Sequence, residues 1–329
     1  MAIIKLTLAI GPYDHVRDFV DGTVRADGID LIALNLPVEE IFYRFTRFRE
    51  WDISEMSFGK FVSLVSQNDH SITAIPVFPS RVFRHSSIYV RKNGRIRKPQ
   101  DLKHKRVGIP EWAQTASIYT RGYLMHEVGI ALKDIEWHQA GVNEMGRSEK
   151  VKLKLPRGVR YVNHRGRSLN DMLLAGELDA VLSARPPRAA LDPDAAVTRL
   201  FPDAPGVERA YYRKTGIFPI MHVVALRRKI LDRHPWVAMN LFKAFEEAKQ
   251  RSLGRALDVT ASYYPLPWAV DYARQSQALF GDDFWPYGIE CNRATLESFL
   301  HFAYEQGVCH RKLAPEDLFP VEVQSSYRV

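Results

Sequence analysis

The feature that most restricts the fold of this chain is the alternation of short strand patterns with helical patterns along most of its length. Eight runs have the length and composition of β-strands: Lys5–Ile10, Asp30–Leu34, Ile72–Phe78, Ser87–Arg91, Arg106–Ile109, Glu136–Gln139, Ala180–Ser183 and His222–Leu226. Helical patterns occupy Val38–Arg49, Ser57–Ser66, Thr115–Val128, Ser168–Ala175 and Pro235–Leu253. Such alternation predicts an α/β fold with largely parallel sheets, followed by a mostly helical C-terminal third.

Two breaks in composition divide this pattern into two lobes. Residues 93–104 are polar and basic and contain Gly94 and Pro99, while residues 201–215 contain Pro202, Pro205 and Gly206. We therefore expect residues 1–92 and 218–329 to form one lobe and residues 93–217 to form a second, inserted lobe. Two crossings between lobes place a cleft between them, where small ligands usually bind.

Composition narrows the class of ligand. The chain has 329 residues, 46% of them hydrophobic, so it can bury a large core. Its net charge of +8 comes from basic residues scattered among apolar segments, and no zinc-finger, RNA-recognition or basic-helix motif is present. We expect a small anionic ligand and no nucleic-acid partner.

Cysteine usage and the N-terminus bear on cofactors and location. Cys291 and Cys309 lack the spacing of a metal site or a disulfide framework, and His, Asp and Glu form no recognisable metal-ligand motif, so we expect no metal and no cofactor. Residues 1–18 pass into a strand pattern without the long hydrophobic segment of a signal peptide, and no apolar run approaches the roughly 20 residues of a membrane span. These features predict a cytoplasmic protein without a membrane partner, and homo-oligomer formation is left open.

Two segments combine an apolar strand with cationic or titratable groups. Residues 73–91 place Arg81, Arg84 and His85 just beyond a buried strand, which would suit an organic anion. Residues 216–228 place His222 within a similar apolar strand. A single histidine in such a setting is as often a core residue bonded to a backbone carbonyl, but two in similar settings favour a functional role.

Other candidates lie where strands give way to turns, since ligands of open α/β sheets gather at the carboxyl ends of strands. The turn at residues 108–115 follows a strand and opens a helix, so its backbone N–H groups would attract an anion, although Thr115 could equally be a simple N-cap. The buried carboxylate of Glu55 should have a cationic partner, for which residues 81–84 are the natural source. The candidates from these turns and strand ends are Tyr13, His15, Glu55, Ser57, Glu111, Trp112, Gln114, Thr115 and Arg185.

Several of these motifs, taken in order, resemble one enzyme family. The motifs are GPYDH at 11–15, WDISEMS at 51–57, AIPVFPSRVFRHS at 74–86, DLKHKRVGIPEWAQTAS at 101–117, LNDMLLAGELDAVLSARPP at 169–187 and IFPIMH at 217–222. This order is similar to that of the 4,5-dihydroxyphthalate decarboxylases, bacterial enzymes of aromatic degradation. The resemblance runs from about Lys5 to about Phe245 and is looser beyond. It implies a two-lobed fold like that of the type 2 periplasmic binding proteins, in a cytoplasmic enzyme.

The resemblance also implies an activity, the cofactor-independent decarboxylation of 4,5-dihydroxyphthalate to 3,4-dihydroxybenzoate and carbon dioxide in phthalate catabolism. In that chemistry His85 or His222 would supply a proton, Arg81 and Arg84 would hold the spectator carboxylate, and Glu111 or Glu55 would receive the phenolic proton. The main alternative is a non-catalytic solute-binding protein for an aromatic or carboxylate ligand. An enzyme of thiamine-pyrimidine synthesis is a further alternative of this fold, but no cysteine-rich iron motif supports it.

Overall fold

Eleven strands and ten helices are formed by residues 3–192 and 194–325, the part of the chain that this computed structural model describes. The strands are β1 (Ile4–Ile10), β2 (Ile29–Asn35), β3 (Ile53–Ser57), β4 (Ile72–Ile75), β5 (Ile88–Arg91), β6 (Arg106–Ile109), β7 (Glu136–Gly141), β8 (Arg160–Ser168), β9 (Ala180–Leu182), β10 (Val197–Arg199) and β11 (His222–Arg227). The helices are α1 (Asp14–Val20), α2 (Val38–Phe48), α3 (Phe58–Ser66), α4 (Thr115–His126), α5 (Leu169–Leu174), α6 (Ala204–Thr215), α7 (Arg228–Arg233), α8 (Trp236–Leu257), α9 (Ala269–Phe280) and α10 (Arg293–Glu305).

The strands form two separate sheets, which confirms the predicted α/β class and two-lobed organisation. The first sheet has the order β2-β1-β3-β11-β4, and the second has the order β10-β5-β9-β6-β7-β8. Most neighbours are parallel, but β11 runs antiparallel to β3 and β4, and β5 runs antiparallel to β9 and β10. Each reversed strand is the first one that the chain forms after it crosses from one sheet to the other.

The strand pairing moves the first lobe boundary. Because β5 pairs with β9 and β10, the chain has already entered the second sheet at residue 88, before the expected boundary at 92. The polar segment at 93–104 therefore joins β5 to β6 within one sheet and is not a link between lobes. Residues 1–2, 193 and 326–329 of the expected lobes lie outside the described residues.

The second break in composition is largely helix. Residues 204–215 form α6, whose N-cap Asp203 accepts a hydrogen bond from the Gly206 N–H at 3.0 Å. Pro205 lies in the first turn, where the missing N–H of proline costs nothing because that N–H would have no partner within the helix. Proline at this position therefore marked the start of a helix and not an irregular segment.

The two crossings run side by side. The Val82 N–H donates to the Pro219 carbonyl at 3.3 Å, Met221 N–H donates to Ser80 at 2.8 Å, and Val224 N–H donates to Val77 at 3.1 Å. These bonds fix the start of β11 against the segment that follows β4. The hinge between the lobes is thus a short two-stranded ribbon.

The C-terminal helices pack on both parts of the chain. Helix α8 lies against α1, while α10 lies against α3 and α4. The α4–α10 contact is close because Gly122 has no side chain: a Cβ added there would lie 2.7 Å from two ring atoms of Phe302. None of the helices formed by the described residues is both long and apolar enough to cross a membrane.

Candidate active site

A buried carboxylate and an imidazole meet where three strands of the first sheet share an edge. Glu55 is near the carboxyl end of β3, and Tyr13 follows β1 at the same edge. Strand β11 runs the opposite way, so its first residue, His222, lies at that edge too, directly opposite Ser57 in the strand register. The arrangement follows from strand direction and register, which place these side chains together although they are far apart in sequence.

The three side chains form one hydrogen-bonded cluster around Glu55. The Nδ1 atom of His222 lies 2.5 Å from Glu55 Oε1, and the Tyr13 hydroxyl donates to the same oxygen at 2.6 Å. The second carboxylate oxygen accepts the Gly11 N–H at 2.8 Å. With Glu55 ionised, the His222 Nδ1 proton donates to it, so the second ring nitrogen, Nε2, is left for other chemistry.

Electrostatics favour the ionised form of Glu55 in this cluster. The carboxylate is fully buried, and burial alone would raise its pKa, but the His222 charge and the hydrogen bonds from His222, Tyr13 and Gly11 outweigh it and lower the pKa below the ordinary value. Burial and the Glu55 charge raise the pKa of Tyr13, which therefore stays a neutral donor. The pair is an orienting carboxylate with an imidazole.

The imidazole of His222 packs against a residue that lines a large cleft. The edge of its ring packs on Phe42 of α2, with ring centroids 4.8 Å apart and ring planes at 83°. Phe42 lines a cavity of about 930 Å³ between α2 and the loop that follows β7. The His222 side chain is 17% exposed, whereas Glu55 is not exposed at all, so the histidine is the member of the pair that solutes can reach.

Cations from both lobes line this cleft around Glu111. Lys60 of α3 lies 3.0 Å from Glu111 Oε2, and Arg147 Nε donates to Glu111 Oε1 at 2.8 Å. Glu111 is 1% exposed, so its two cationic partners hold it in a fixed position at the end of β6. Neither cation was predicted from the sequence. Lys60 could have been predicted, because a lysine within the apolar run Phe58–Ser66 is unusual. Arg147 lies in a loop whose sequence has no recognisable motif.

A further carboxylate spans the cleft. Glu39 of α2 lies 3.3 Å from Arg147 through Oε1 and 3.3 Å from Arg185 through Oε2. Arg185 thus lies beside the cleft, at the strand end where the sequence analysis placed it. Arg147 and Arg185 belong to the second lobe, so Glu39 links the lobes by ion pairs that solvent can reach.

Two helices begin at this cleft with their N-termini side by side. The Ser57 and Thr115 hydroxyls, just before α3 and at the start of α4, lie 3.1 Å apart. Thr115 Oγ1 also accepts the Gly59 N–H at 2.9 Å, so Thr115 caps the neighbouring helix and not its own. The positive ends of both helix dipoles add to the cationic character of the cleft.

The turn that precedes α4 is engaged by a protein carboxylate. The Ala113 N–H, in the turn predicted to bind an anion, donates to Glu149 Oε2 at 3.1 Å. Burial and the nearby Glu111 charge raise the pKa of Glu149. Gln114 is the N-cap residue of α4, and its side chain accepts a hydrogen bond from the Ser117 hydroxyl at 3.2 Å.

Comparison with known proteins gives this site a context. A 4,5-dihydroxyphthalate decarboxylase of Comamonas testosteroni is 37% identical over 330 aligned residues that cover all of both chains. A 4,5-dihydroxyphthalate decarboxylase of Pseudomonas putida is 39% identical over 211 residues, which cover 64% of this chain and 82% of that protein. The chain belongs to the 4,5-dihydroxyphthalate decarboxylase family. No protein-family model matches it.

Solved structures confirm the fold of this family member. The periplasmic aliphatic sulphonate-binding protein SsuA of Escherichia coli superposes with a TM-score of 0.56 and 12% identity, over 98% of this chain and 99% of the other. The alkanesulfonate-binding protein SsuA of Xanthomonas axonopodis, bound to MOPS, gives a TM-score of 0.51 and 11% identity, over 95% and 96%. The expected fold, like that of the periplasmic binding proteins, is therefore confirmed, and at this identity the likeness concerns the fold alone.

Arg81 is a structural residue and not the predicted carboxylate clamp. It is 4% exposed, and its guanidinium donates to the Phe218 carbonyl at 3.0 Å, to the Pro286 carbonyl at 2.7 Å and to Asn292 Oδ1. The guanidinium also packs on the Phe218 ring, 4.8 Å from its centroid. Burial lowers the pKa of Arg81 to about 10. These contacts fasten the hinge ribbon to the segment before α10.

His85 and Arg84 lie apart from the Glu55–His222 pair. The His85 ring packs edge-on against Tyr123 and Tyr211, at 4.5 and 4.8 Å, and neither of its nitrogens has a hydrogen-bond partner. Burial lowers the pKa of His85 to about 4. Arg84 beside it contacts Met221 Sδ through Nε at 3.1 Å. Although the crossings pair, the ring contacts of His85 and His222 share no residue of the described chain.

Trp112 is a core residue in this structure, and His15 is a half-buried residue packed among aromatic rings. Trp112 is fully buried, donates from Nε1 to the Gln306 carbonyl at 2.7 Å and lies 4.0 Å below the Arg121 guanidinium. His15 packs between Tyr13 and Trp285, and burial lowers its pKa to about 4. Both residues follow strand ends as predicted, but their side chains turn inward, because the apolar surface of a ring is buried more favourably than left in water.

Proposed function

We propose that this chain is a carboxy-lyase that converts 4,5-dihydroxyphthalate to 3,4-dihydroxybenzoate and carbon dioxide. The observation that carries the proposal is the buried Glu55–His222 pair, whose imidazole packs against Phe42, a residue that lines the same cleft as Lys60, Arg147 and Arg185. A proton donor beside a cationic cleft is what decarboxylation of an aromatic diacid requires. The family to which the chain belongs supports the same activity.

The chemistry begins with the ring hydroxyl that is para to the departing carboxylate. Loss of its proton pushes electron density to the ipso carbon, which takes a proton from a general acid. The C–C bond then breaks, carbon dioxide leaves, and the electron pair of that bond restores the aromatic ring. The phenolate finally regains a proton, so the net reaction consumes one proton for each carbon dioxide released.

His222 is the proton donor in this proposal, and it acts through Nε2. Glu55 is a positioning residue: it accepts the hydrogen bond from Nδ1 and so fixes the orientation of the ring. The family resemblance left Glu55 and Glu111 as alternative acceptors of the phenolic proton. Glu55 is hydrogen-bonded to His222, and Glu111 is paired with Lys60 and Arg147. We therefore assign the role of proton acceptor to Glu149, which lines the cleft and has a pKa that is raised by burial.

The cations of the cleft would hold the two adjacent carboxylates. Arg147 and Arg185 present guanidinium groups to one protein carboxylate, that of Glu39, at equal distances of 3.3 Å. A substrate carboxylate suits the same two donors, because the guanidinium group binds carboxylates through paired N–H bonds. Phe42 would pack on the aromatic ring beside His222.

A non-catalytic binding protein is not favoured. The full-length relative of this chain is named a decarboxylase, whereas the binding proteins share 11–12% identity and therefore only the fold. Function depends on the residues of the site and not on the fold that carries them.

The decisive experiment uses purified protein with 4,5-dihydroxyphthalate in deuterated buffer, with and without a chelator. We expect carbon dioxide and 3,4-dihydroxybenzoate that carries one deuterium at the carbon that lost its carboxylate, equally in both conditions. Tight binding without product would support the solute-binding alternative instead. A cytoplasmic location stays a prediction, which fractionation of the source cells would check.

A further inference from the structure

We propose that this protein binds one divalent transition-metal ion, Zn²⁺ in particular, at a site formed by His126, His301 and Glu305. His126 is the last residue of α4, and His301 and Glu305 lie one turn apart on α10. Within the described residues they are the one group of three such side chains that could hold a metal ion. None of them lines the cleft, so this site is separate from the candidate active site.

The three side chains already converge. His126 Nε2 lies 2.7 Å from Glu305 Oε2, and His301 Nε2 lies 3.2 Å from Glu305 Oε1. All three ligand atoms lie within 4.8 Å of one another. Ligands bound tetrahedrally at about 2.0–2.1 Å are separated from each other by about 3.3–3.4 Å, so an ion between these atoms requires only small side-chain movements.

The surroundings fix the ligands and favour a cation. The His126 ring stacks on Phe302, with centroids 5.0 Å apart and ring planes at 24°, which holds the imidazole in its orientation. His126 and Glu305 each end a helix, so the negative ends of two helix dipoles meet at the site. The i, i+4 spacing of His301 and Glu305 presents both to the same side of α10.

The ligand set selects the class of metal. Two imidazole nitrogens and one carboxylate suit Zn²⁺ and its first-row neighbours, while Mg²⁺ and Ca²⁺ prefer oxygen ligands throughout. Three protein ligands leave a fourth position to water, and all three side chains are partly exposed, so the ion can enter from solution. Such an ion would tie α4 of the second lobe to α10 of the C-terminal region.

The test is a Zn²⁺ titration of the chelator-treated, full-length protein, followed by calorimetry and by the thermal midpoint. We expect one equivalent to bind and the midpoint to rise, because a ligand that binds only the folded state stabilises it. His126→Ala, His301→Ala and the near-isosteric Glu305→Gln should each weaken binding at least about 10-fold, since even outer-shell losses cost metal sites about 10–100-fold. The matched control is His164→Ala, which removes the other close histidine pair, His138 and His164, at 2.8 Å.

Cobalt provides a readout that does not depend on stability. Co²⁺ bound by the two imidazoles should give a visible absorption spectrum in the folded protein, lost in His301→Ala and kept in His164→Ala. Failure of the wild-type protein to bind one equivalent, or equal binding by His301→Ala, would overturn the proposal. So would loss of binding in His164→Ala with retention in His126→Ala, which would move the site to the other histidine pair.

Discussion

At the scale of single residues, two histidines in similar sequence settings have opposite environments. Each follows or begins an apolar strand near a crossing between lobes. His222 reaches a buried carboxylate, while His85 is enclosed by tyrosine rings without any polar partner. The deciding partner of His222 is Glu55, 167 residues earlier, which only the pairing of β3 with β11 brings near. The chemistry of a histidine is set by that partner.

The first prediction separates these two residues. General-acid catalysis contributes about 10²–10⁴-fold, so His222→Asn should lower turnover of 4,5-dihydroxyphthalate by about that factor while the substrate still binds. His85→Asn is the matched control: it should lower the thermal midpoint and leave the turnover of the folded enzyme unchanged. Steady-state kinetics and thermal unfolding of both variants are the measurements. Near-normal turnover in His222→Asn would remove it as the proton donor.

The second prediction concerns pH. Burial lowers the pKa of His85 from 6.5 to about 4, so the folded state favours its neutral form. The folded protein is therefore most stable, as far as His85 is concerned, above about pH 6.5. Its free energy of unfolding falls as the pH drops towards 4, because the unfolded state binds the proton more readily in this range. Each pKa unit is worth about 1.4 kcal/mol, so the loss can reach about 3 kcal/mol.

Urea unfolding between pH 7 and pH 4 measures this loss. His85→Phe, which keeps an aromatic ring among Tyr123 and Tyr211, should show a shallower fall in the free energy of unfolding than the wild type over that range. Replacement of the exposed His70 by phenylalanine serves as the control. Parallel curves for the wild type and His85→Phe would contradict the assignment.

At the scale of elements, sequence patterns located the strands that are mostly apolar, including the edge strand β2, and missed two strands that are mostly polar. Strands β1, β6 and β11 were predicted to within a residue, because apolar side chains fill their buried faces. Strands β8 and β10 were missed because they lie at the two edges of the second sheet, where most of their side chains face solvent and no alternation is visible. Most of β3 was missed for another reason: its sequence, ISEMS, buries the polar Ser54 and the site residue Glu55, so it lacks the apolar pattern of a buried strand.

The third prediction tests the contact between α4 and α10. Gly122→Ala should destabilise the protein by about 1–3 kcal/mol, because its Cβ would lie less than 3.0 Å from three atoms of the Phe302 ring in a packed interface. Gly254→Ala is the matched helical control: nothing lies within 4 Å of its Cβ, so it should stabilise α8 by about 0.5–1 kcal/mol. Chemical denaturation of both variants gives the two signs. If Gly122→Ala were as stable as the wild type, α4 and α10 could move apart without loss of unfolding free energy, and the prediction would be wrong.

At the scale of the whole molecule, the composition breaks and the family resemblance both predicted two lobes, and the strand end before it predicted Arg185, but Lys60 and Arg147 were not predicted. Arg147 lies in the loop after β7, and its position depends on Glu111 and Glu39, which come from different lobes. The motif-based prediction chose Arg81 because it follows a buried strand. In the structure the Arg81 guanidinium donates its hydrogen bonds to two backbone carbonyls and to Asn292. The sequence does not reveal these bonds, because the acceptors lie 137 to 211 residues later in the chain.

The ion pairs across the cleft connect lobe closure to ligand binding. Lys60 and Glu111 form a nearly buried pair between lobes, while Glu39 pairs with Arg147 and Arg185 in contact with solvent. An exposed pair of this kind contributes about 0.2–1 kcal/mol, so a ligand carboxylate can replace it at little cost. Glu39 thus holds the position that the proposed function gives to the substrate, and the two compete for the same guanidinium groups.

The last prediction follows from this competition. Glu39→Gln removes the carboxylate charge that pairs with Arg147 and Arg185, while Arg147 still donates to Glu111. The variant should therefore tighten the binding of phthalate, a diacid that lacks the hydroxyl needed for reaction, by about 1.5- to 5-fold, the equivalent of about 0.2–1 kcal/mol for one exposed pair. Glu144→Gln is the matched control, since Glu144 also lines the cleft but pairs with Arg188. Calorimetry at low and high salt is the measurement, and the gain should shrink as salt screens the wild-type pair. If Glu39→Gln instead binds phthalate more weakly than Glu144→Gln, then Glu39 holds the lobes together around the ligand, and the competition argued here is wrong.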